Sequence, residues 1–285
     1  MAKRFVVLAL FALSGLGIGA GGAYAAEHDF FARRFRLYFE AEESQERQAS
    51  APVQKSMASS TDVVVPILVY HSIRPIMATD PQQLKNYSVE PAIFEAQLQY
   101  LKDHGYTAIS FDAFMDYLLN AVPLPEKPVV LTLDDGWENQ YTYAFPLIKK
   151  YGMSATFFIF TNAMGHKHFL TWEQVKDMAD SGMEIGGHTQ SHPYLVKISD
   201  PKKLVAEIAG GKKIIESHIG REITVFAYPF GQYDDAVVAA VKGAGYRAAR
   251  TTRRGAIQSG DNIYTLRATQ VENSMESLIN AMNGL

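Results

Sequence analysis

From Val63 onward, short apolar runs rich in β-branched residues alternate with stretches whose apolar positions recur every three or four residues. Those are the periods of buried strands and of amphipathic helices. Residues 66–70, 107–109, 129–133, 155–160, 183–187, 223–228 and 246–249 read as strands, with a weaker one at 263–266. One helix is predicted to open at Pro91, with Phe94, Leu98 and Leu101 on one face, and to stop at Gly105. Others are expected over 111–119, 139–150 and 234–242. Thr171 followed three residues later by Gln174 is a capping-box pattern for a helix ending at Gly182. A long helix from Pro201 carries Leu204, Ile208, Ile215 and Ile219 on one face. The polar stretch 74–88 exceeds most compact connections and reads as a lid or rim element. No internal repeat is visible.

Alternating strands and helices imply a parallel sheet, either doubly wound or closed as a barrel. Polar residues at the strand ends decide between the two. His71, Asp134 with Asp135, Thr161 with Asn162, His188, and Pro229-Phe230-Gly231 each fall just past a different strand. A barrel gathers all those ends into one mouth, where an open sheet would scatter them. The expectation is therefore an α/β fold, a distorted (β/α) barrel of about seven strands with its site at the C-terminal mouth.

At 285 residues and 47% hydrophobic, the chain is long enough for one such barrel. A net charge of −3 argues against nucleic-acid binding, which wants a basic face. The absence of cysteine excludes thiolate metal sites, disulfides and a cysteine nucleophile. Ahead of the barrel, Lys3 and Arg4 precede an apolar run from Phe5 to Ile18 and the small-residue stretch Ala23-Tyr24-Ala25. That is the layout of a signal peptide or an uncleaved N-terminal anchor over residues 1–25, and either places the remainder outside the cytoplasm. Residues 26–62 are an amphipathic segment and a linker. Phe30, Phe31, Phe35, Tyr38 and Phe39 alternate with Arg33, Arg34 and Arg36, a pattern suited to a membrane surface or to a short packed helix. Polar, Ser/Ala/Gln-rich sequence follows. The globular domain is expected over 63–285.

Two constellations carry chemistry. Val129-Val130-Leu131-Thr132-Leu133 runs straight into Asp134-Asp135-Gly136-Trp137, so a buried strand delivers paired carboxylates to the mouth. Neighbouring like charges repel unless a cation or a shared proton sits between them. A metal held by one acid while the other serves as base resolves the conflict, whereas an Asp-Gly hairpin turn is the plain alternative. Second, Gly187-His188-Thr189-Gln190-Ser191-His192 spaces two imidazoles four residues apart, on one face of a helical turn and within reach of one divalent ion. Two histidines and one carboxylate leave coordination positions open for water, the layout of a catalytic zinc-type site. Bound water falls in pKa from 15.7 to about 7, and the second carboxylate can take its proton.

These residues resemble the polysaccharide deacetylases, carbohydrate esterase family four or the NodB-homology domain. Leu133-Asp134-Asp135-Gly136 looks like the family's first motif, His188-Thr189-Gln190-Ser191-His192 its second and Ala227-Tyr228-Pro229-Phe230-Gly231 its third. The resemblance spans about 66–271 and includes Thr156-Phe157-Phe158 and Thr171-Trp172-Glu173-Gln174-Val175. It implies Asp134 as the base, and Asp135, His188 and His192 as ligands of one divalent ion, zinc favoured, although this donor set also suits other first-row ions. It implies a groove walled by Tyr228, Pro229 and Phe230, with the Phe230 N–H on the oxyanion. Trp137 can stack on a sugar or simply pack.

Two departures stand out. The third motif commonly opens with an arginine that orients the base; here that place is Ala227, and Arg267 is the substitute proposed from elsewhere in the chain. No histidine follows His218, so the usual C-terminal acid motif is absent. Ile67-Leu68-Val69-Tyr70-His71 instead resembles the permuted branch, which includes poly-N-acetylglucosamine deacetylases of biofilm export systems, and makes His71 the general acid. His104 and His218 sit near expected helix ends, where a partial positive charge is favourable, and His166 and His168 lie in a loop. The implied activity is metal-assisted removal of N-acetyl groups from N-acetylglucosamine units of an exported, periplasmic or envelope polysaccharide. Alternatives are deacetylation of peptidoglycan or chitin oligomers, and a non-catalytic glycan-binding protein on the same barrel.

Overall fold

A computed structural model describes residues 62–284; the signal or anchor and the amphipathic segment and linker up to Thr61 lie outside the described residues. Twelve strands follow in order: β1 (Val63–Val64), β2 (Ile67–Tyr70), β3 (Ser72–Ile73), β4 (Ser88–Val89), β5 (Thr107–Ile109), β6 (Pro128–Asp135), β7 (Thr156–Ile159), β8 (Glu184–Gly187), β9 (Val225–Ala227), β10 (Ala248–Arg250), β11 (Ile257–Gln258) and β12 (Thr269–Gln270). Seven of them form one parallel path, β10-β9-β8-β7-β6-β2-β12. β5 lies beside the first residues of β6, pairing Thr107 with Pro128 and Ile109 with Val130. Every residue of β2, β6 and β7 is buried, as strands covered on both faces must be, which is why they read as continuous apolar runs rather than alternating ones.

The sheet curls until its ends approach. Residues 263–270 run between them: Ala249 N–H donates to Ile263 O at 3.0 Å and Thr251 N–H to Leu266 O at 2.9 Å, after which β12 pairs with β2 through Thr269 and Leu68. The expected strand at 263–266 is thus reduced to a single bridge between Leu266 and Arg250, and regular pairing starts only at Thr269. The resulting distorted barrel of seven strands points the C-terminal ends of β2, β6, β7, β8, β9 and β10 toward one mouth.

Helices cover the outside. Pro91–Asp103 buries Phe94, Leu98 and Leu101, and Phe111–Asn120 is capped by the Ser110 side chain. Trp172–Asp180 carries the full capping box, Thr171 and Gln174 bonding reciprocally. Two predicted helices open with irregular or interrupted windings. The first begins as a π turn over Gln140–Ala144 before the α-helix Phe145–Lys150. The second is Pro201–Val205, a π turn over Ala206–Gly210, then Gly211–Ile219. A terminal helix, Met275–Met282, capped by Ser274, packs at the end of the described chain. In the 74–88 connection, Gln82–Asn86 is helical and β3 pairs with β4, so the rim is built rather than structureless. Among the described residues no helix is long and apolar enough to cross a membrane.

Candidate active site

Asp134 and Asp135 close β6 and are both buried. Alternation along a strand would send neighbouring side chains to opposite faces. Asp135, however, leaves the extended conformation at φ 79°, and both carboxylates reach the mouth. The chain then turns at Gly136, φ 72°, where the left-handed backbone favours glycine. Trp137 folds back so that its indole N–H donates to Asp135 Oδ2 at 3.1 Å, and its ring stacks on Phe169 at 4.6 Å. The indole is buried and spent on these partners rather than laid open as a sugar platform.

His188 follows β8. Its Nδ1 lies 2.7 Å from Ala227 O; a carbonyl only accepts, so Nδ1 carries the proton and Nε2 presents a lone pair to the mouth. Burial pushes the His188 pKa down, while Asp134 and Asp135 pull it the other way; the neutral imidazole is the form that ligates. His192 does not reach the same point through a helical turn, as its spacing suggested. Residues 188–192 form a loop in which Thr189 (φ 72°) and His192 (φ 58°) are left-handed. Such conformations cost on the order of 1–3 kcal/mol each for residues with a side chain and persist only where their surroundings fix them. Here His192 N–H donates to Thr189 Oγ1 at 2.9 Å. The Glu207 carboxylate accepts from the N–H groups of Gln190 and Ser191 at 3.0 and 2.8 Å and from the Ser191 hydroxyl at 2.6 Å.

The outcome is convergence. His188 Nε2 and His192 Nε2 lie 3.0 Å apart, and Asp135 Oδ1 is 3.8 and 3.4 Å from them. All three residues are buried, with their ligand atoms within 4.8 Å of one another. Two imidazole nitrogens facing each other beside a carboxylate call for a cation. Two nitrogens and one oxygen with open positions fit a divalent ion of the zinc type.

Beside this centre, one Asp134 oxygen accepts from Arg250 Nη2, and the other lies 4.0 Å from His71 Nε2. Arg250 has no exposed surface, and its guanidinium sits 4.8 Å from the centre of the Phe158 ring. The arginine on Asp134 is therefore Arg250, at the end of β10. Arg267 instead donates from Nη1 to Arg254 O at 3.0 Å. His71 packs edge-on against Tyr87, which brings the 74–88 rim to the mouth. Of the third motif, Phe230 (φ 59°) reaches the site, with its ring 4.6 Å from that of His192 and stacked on Tyr194 at 4.0 Å. Pro229 is buried, and Tyr228 is fully buried with its hydroxyl donating to Tyr264 O at 3.0 Å, so Tyr228 supports the wall from behind and offers no surface of its own. Outside the site, His104 and His218 bond the carbonyls of Tyr100 and Ile214 in their own helices. Sequence reasoning missed Arg250, Glu207 and Tyr194. Only Arg250 carried a signal, as a base closing an apolar strand.

Two imidazoles and a carboxylate thus converge at the mouth of a parallel barrel, beside an aspartate held between an arginine and a third histidine. The sequence profile of the polysaccharide deacetylases matches residues 121–249. A candidate polysaccharide deacetylase of Bacillus subtilis, YxkH, is 34% identical over 211 residues, covering 74% of this chain and 72% of that protein. The poly-beta-1,6-N-acetyl-D-glucosamine N-deacetylase of Staphylococcus aureus is 26% identical over 217 residues, covering 71% and 74%. The Streptococcus pyogenes deacetylase PplD, solved with acetate, superposes with a TM-score of 0.71 at 31% identity, over 78% of this chain and 99% of that one. The chain belongs to the polysaccharide deacetylase family.

Proposed function

We propose that the protein removes N-acetyl groups from N-acetylglucosamine units of an extracytoplasmic polysaccharide of the poly-N-acetylglucosamine type, with one divalent metal ion, zinc favoured. The observation that carries this reading is Asp134, held between Arg250 and His71 directly beside the Asp135–His188–His192 cluster. Its carboxylate accepts a proton from water attacking the acetamide carbon. The Phe230 N–H donates to the oxyanion, a contribution typically worth about 3 kcal/mol per donor. His71 gives a proton to the departing amine nitrogen as the C–N bond breaks, so acetate and a free amine leave. The ion, when bound by Asp135, His188 and His192, supplies Lewis-acid polarisation and a lowered water pKa. Arg250, donating to Asp134, takes the orienting part left vacant at Ala227, which supports the catalytic reading over a non-catalytic barrel.

The preference for poly-N-acetylglucosamine rests on His71 following the first strand of the main sheet and on the staphylococcal relative. The residue 1–25 pattern supports export to the periplasm or envelope, with membrane association through the N-terminus, and a role in biofilm polymers. Acetate release from N-acetylglucosamine polymers and oligomers tests the reading. Chelator and Asp134→Asn should each abolish it, Asp134→Asn retaining one metal per chain and His188→Ala losing metal and turnover together. Full activity and metal retention in His188→Ala would overturn the ligand assignment.

A further inference from the structure

The acid and the base of the proposed reaction stand on neighbouring strands, yet the paired register of β2 and β6 ends at Tyr70 and Leu133, one residue short of both His71 and Asp134. Beyond that point the two strand ends are joined by side chains. Gln140 Nε2 donates to His71 O at 2.7 Å and to Asp134 O at 2.5 Å, so one amide spends both protons bridging the acid's carbonyl to the base's. Asn139 continues the seam: its Oδ1 accepts from Ile73 N–H at 2.9 Å, and its Nδ2 donates to Ser72 Oγ at 2.9 Å. The pair stands at the opening of the π turn Gln140–Ala144, a winding that is rare in helices and frequent at functional sites.

We propose that Asn139 and Gln140 are positioning residues for the acid–base pair, extending the β2–β6 ladder by one side-chain rung on each side so that the His71–Asp134 separation is fixed. That separation, 4.0 Å, lies beyond hydrogen-bond length. Each group is thereby kept for its own proton transfer. Closing the gap by about 1 Å would pair acid with base, and opening it would part them, and misplacement on that scale can cost on the order of a hundredfold in rate. Gln140 is also an expensive way to fill this space. The residue is wholly buried, and its Oε1 finds no hydrogen-bond partner among the described residues. A side chain of similar length without the amide would avoid stranding that oxygen, so what the amide contributes is placement.

The inference rests on the deacetylase reading for the reaction it serves, and its test separates the two. Full-length wild type, Gln140→Met, Asn139→Ala and Asn139→Asp are compared for kcat and KM of acetate release from an N-acetylglucosamine oligomer. Zinc affinity is measured by chelator competition, and crystal structures are determined for wild type and Gln140→Met. Gln140→Met and Asn139→Ala should lower kcat by about 10- to 100-fold with KM and zinc affinity little changed, the signature of geometry lost at the chemical step. Asn139→Asp should retain most of kcat, because its carboxylate still accepts from Ile73 N–H and can accept from the Ser72 hydroxyl. Wild-type kcat in Gln140→Met, or a loss of kcat matched by an equal loss of zinc, overturns the proposal. If wild type deacetylates nothing, the deacetylase reading falls and the clamp is judged on the crystals: an unchanged His71–Asp134 separation in Gln140→Met overturns it, and a displacement of about 1 Å upholds it.

Discussion

A guanidinium without exposed surface is held inside the barrel by the Asp134 carboxylate and the face of Phe158. Burying such a pair costs desolvation on both sides, and removing one partner strands the other's charge, a loss of about 3–5 kcal/mol. Arg250→Met keeps the volume and should lose stability on that scale, read as a lower denaturation midpoint, along with most acetate release. Arg267→Ala, which among the described residues removes one side-chain hydrogen bond to a loop carbonyl, should leave the midpoint nearly unmoved. The sequence placed the acids, His188, His192 and His71 because their residue types announce chemistry and strand ends locate them. It placed the arginine wrongly in space because the expected strand 246–249 stopped one residue before Arg250. Local periodicity also carries no information about which of several basic side chains turns inward.

Elements were most legible where the signal is local. The capping box at Thr171, the Pro91 start and the apolar runs of β2, β6 and β7 are each written within a few residues and stand in the structure as read. Windings that answer to distant partners were not legible. The 188–192 loop adopts left-handed conformations because Glu207 and Thr189 satisfy its N–H groups, and the π turns at Gln140 and Ala206 suit what they touch across the molecule. Glu184 is another such long-range device. Its carboxylate accepts from the N–H groups of Phe111 and Asp112, at 2.7 and 2.9 Å, and from the Thr156 hydroxyl, anchoring the first turn of the Phe111–Asn120 helix to the start of β8. Glu184 is half-buried, and burial, countered by the Thr156 bond, pushes its pKa from 4.5 up to about 7. The folded state thus binds a proton that the unfolded state has released between pH 4.5 and about 7. Stability from this group is full below that window and falls as pH rises through it. In Glu184→Gln, that part of the pH dependence of the unfolding free energy should vanish, a difference that paired denaturation curves across the window will show.

At the scale of the whole molecule the barrel is closed by a seam rather than by one continuous ladder, and Gln258 is its stitch. The side chain is buried; it donates to Val65 O at 3.1 Å and Arg267 O at 2.8 Å and accepts from Arg267 N–H at 3.0 Å. It thereby ties the lead-in to β2 to the segment that reaches β12. Gln258→Leu should cost about 2–4 kcal/mol, the sum of several bonds lost and backbone groups left buried without partners, measured as a shift in denaturant midpoint without a change of slope. The pairing of β2 with β12 joins the first strand of the main sheet to its last, and contacts so far apart along the chain form slowly. It also sets an order of events. While the chain is being made, β2 can take β6 on one edge, but its other edge waits for a partner that every other strand precedes, so the barrel cannot close early. A polypeptide that must thread a membrane before it folds, as the proposed export requires, has that delay built into its topology.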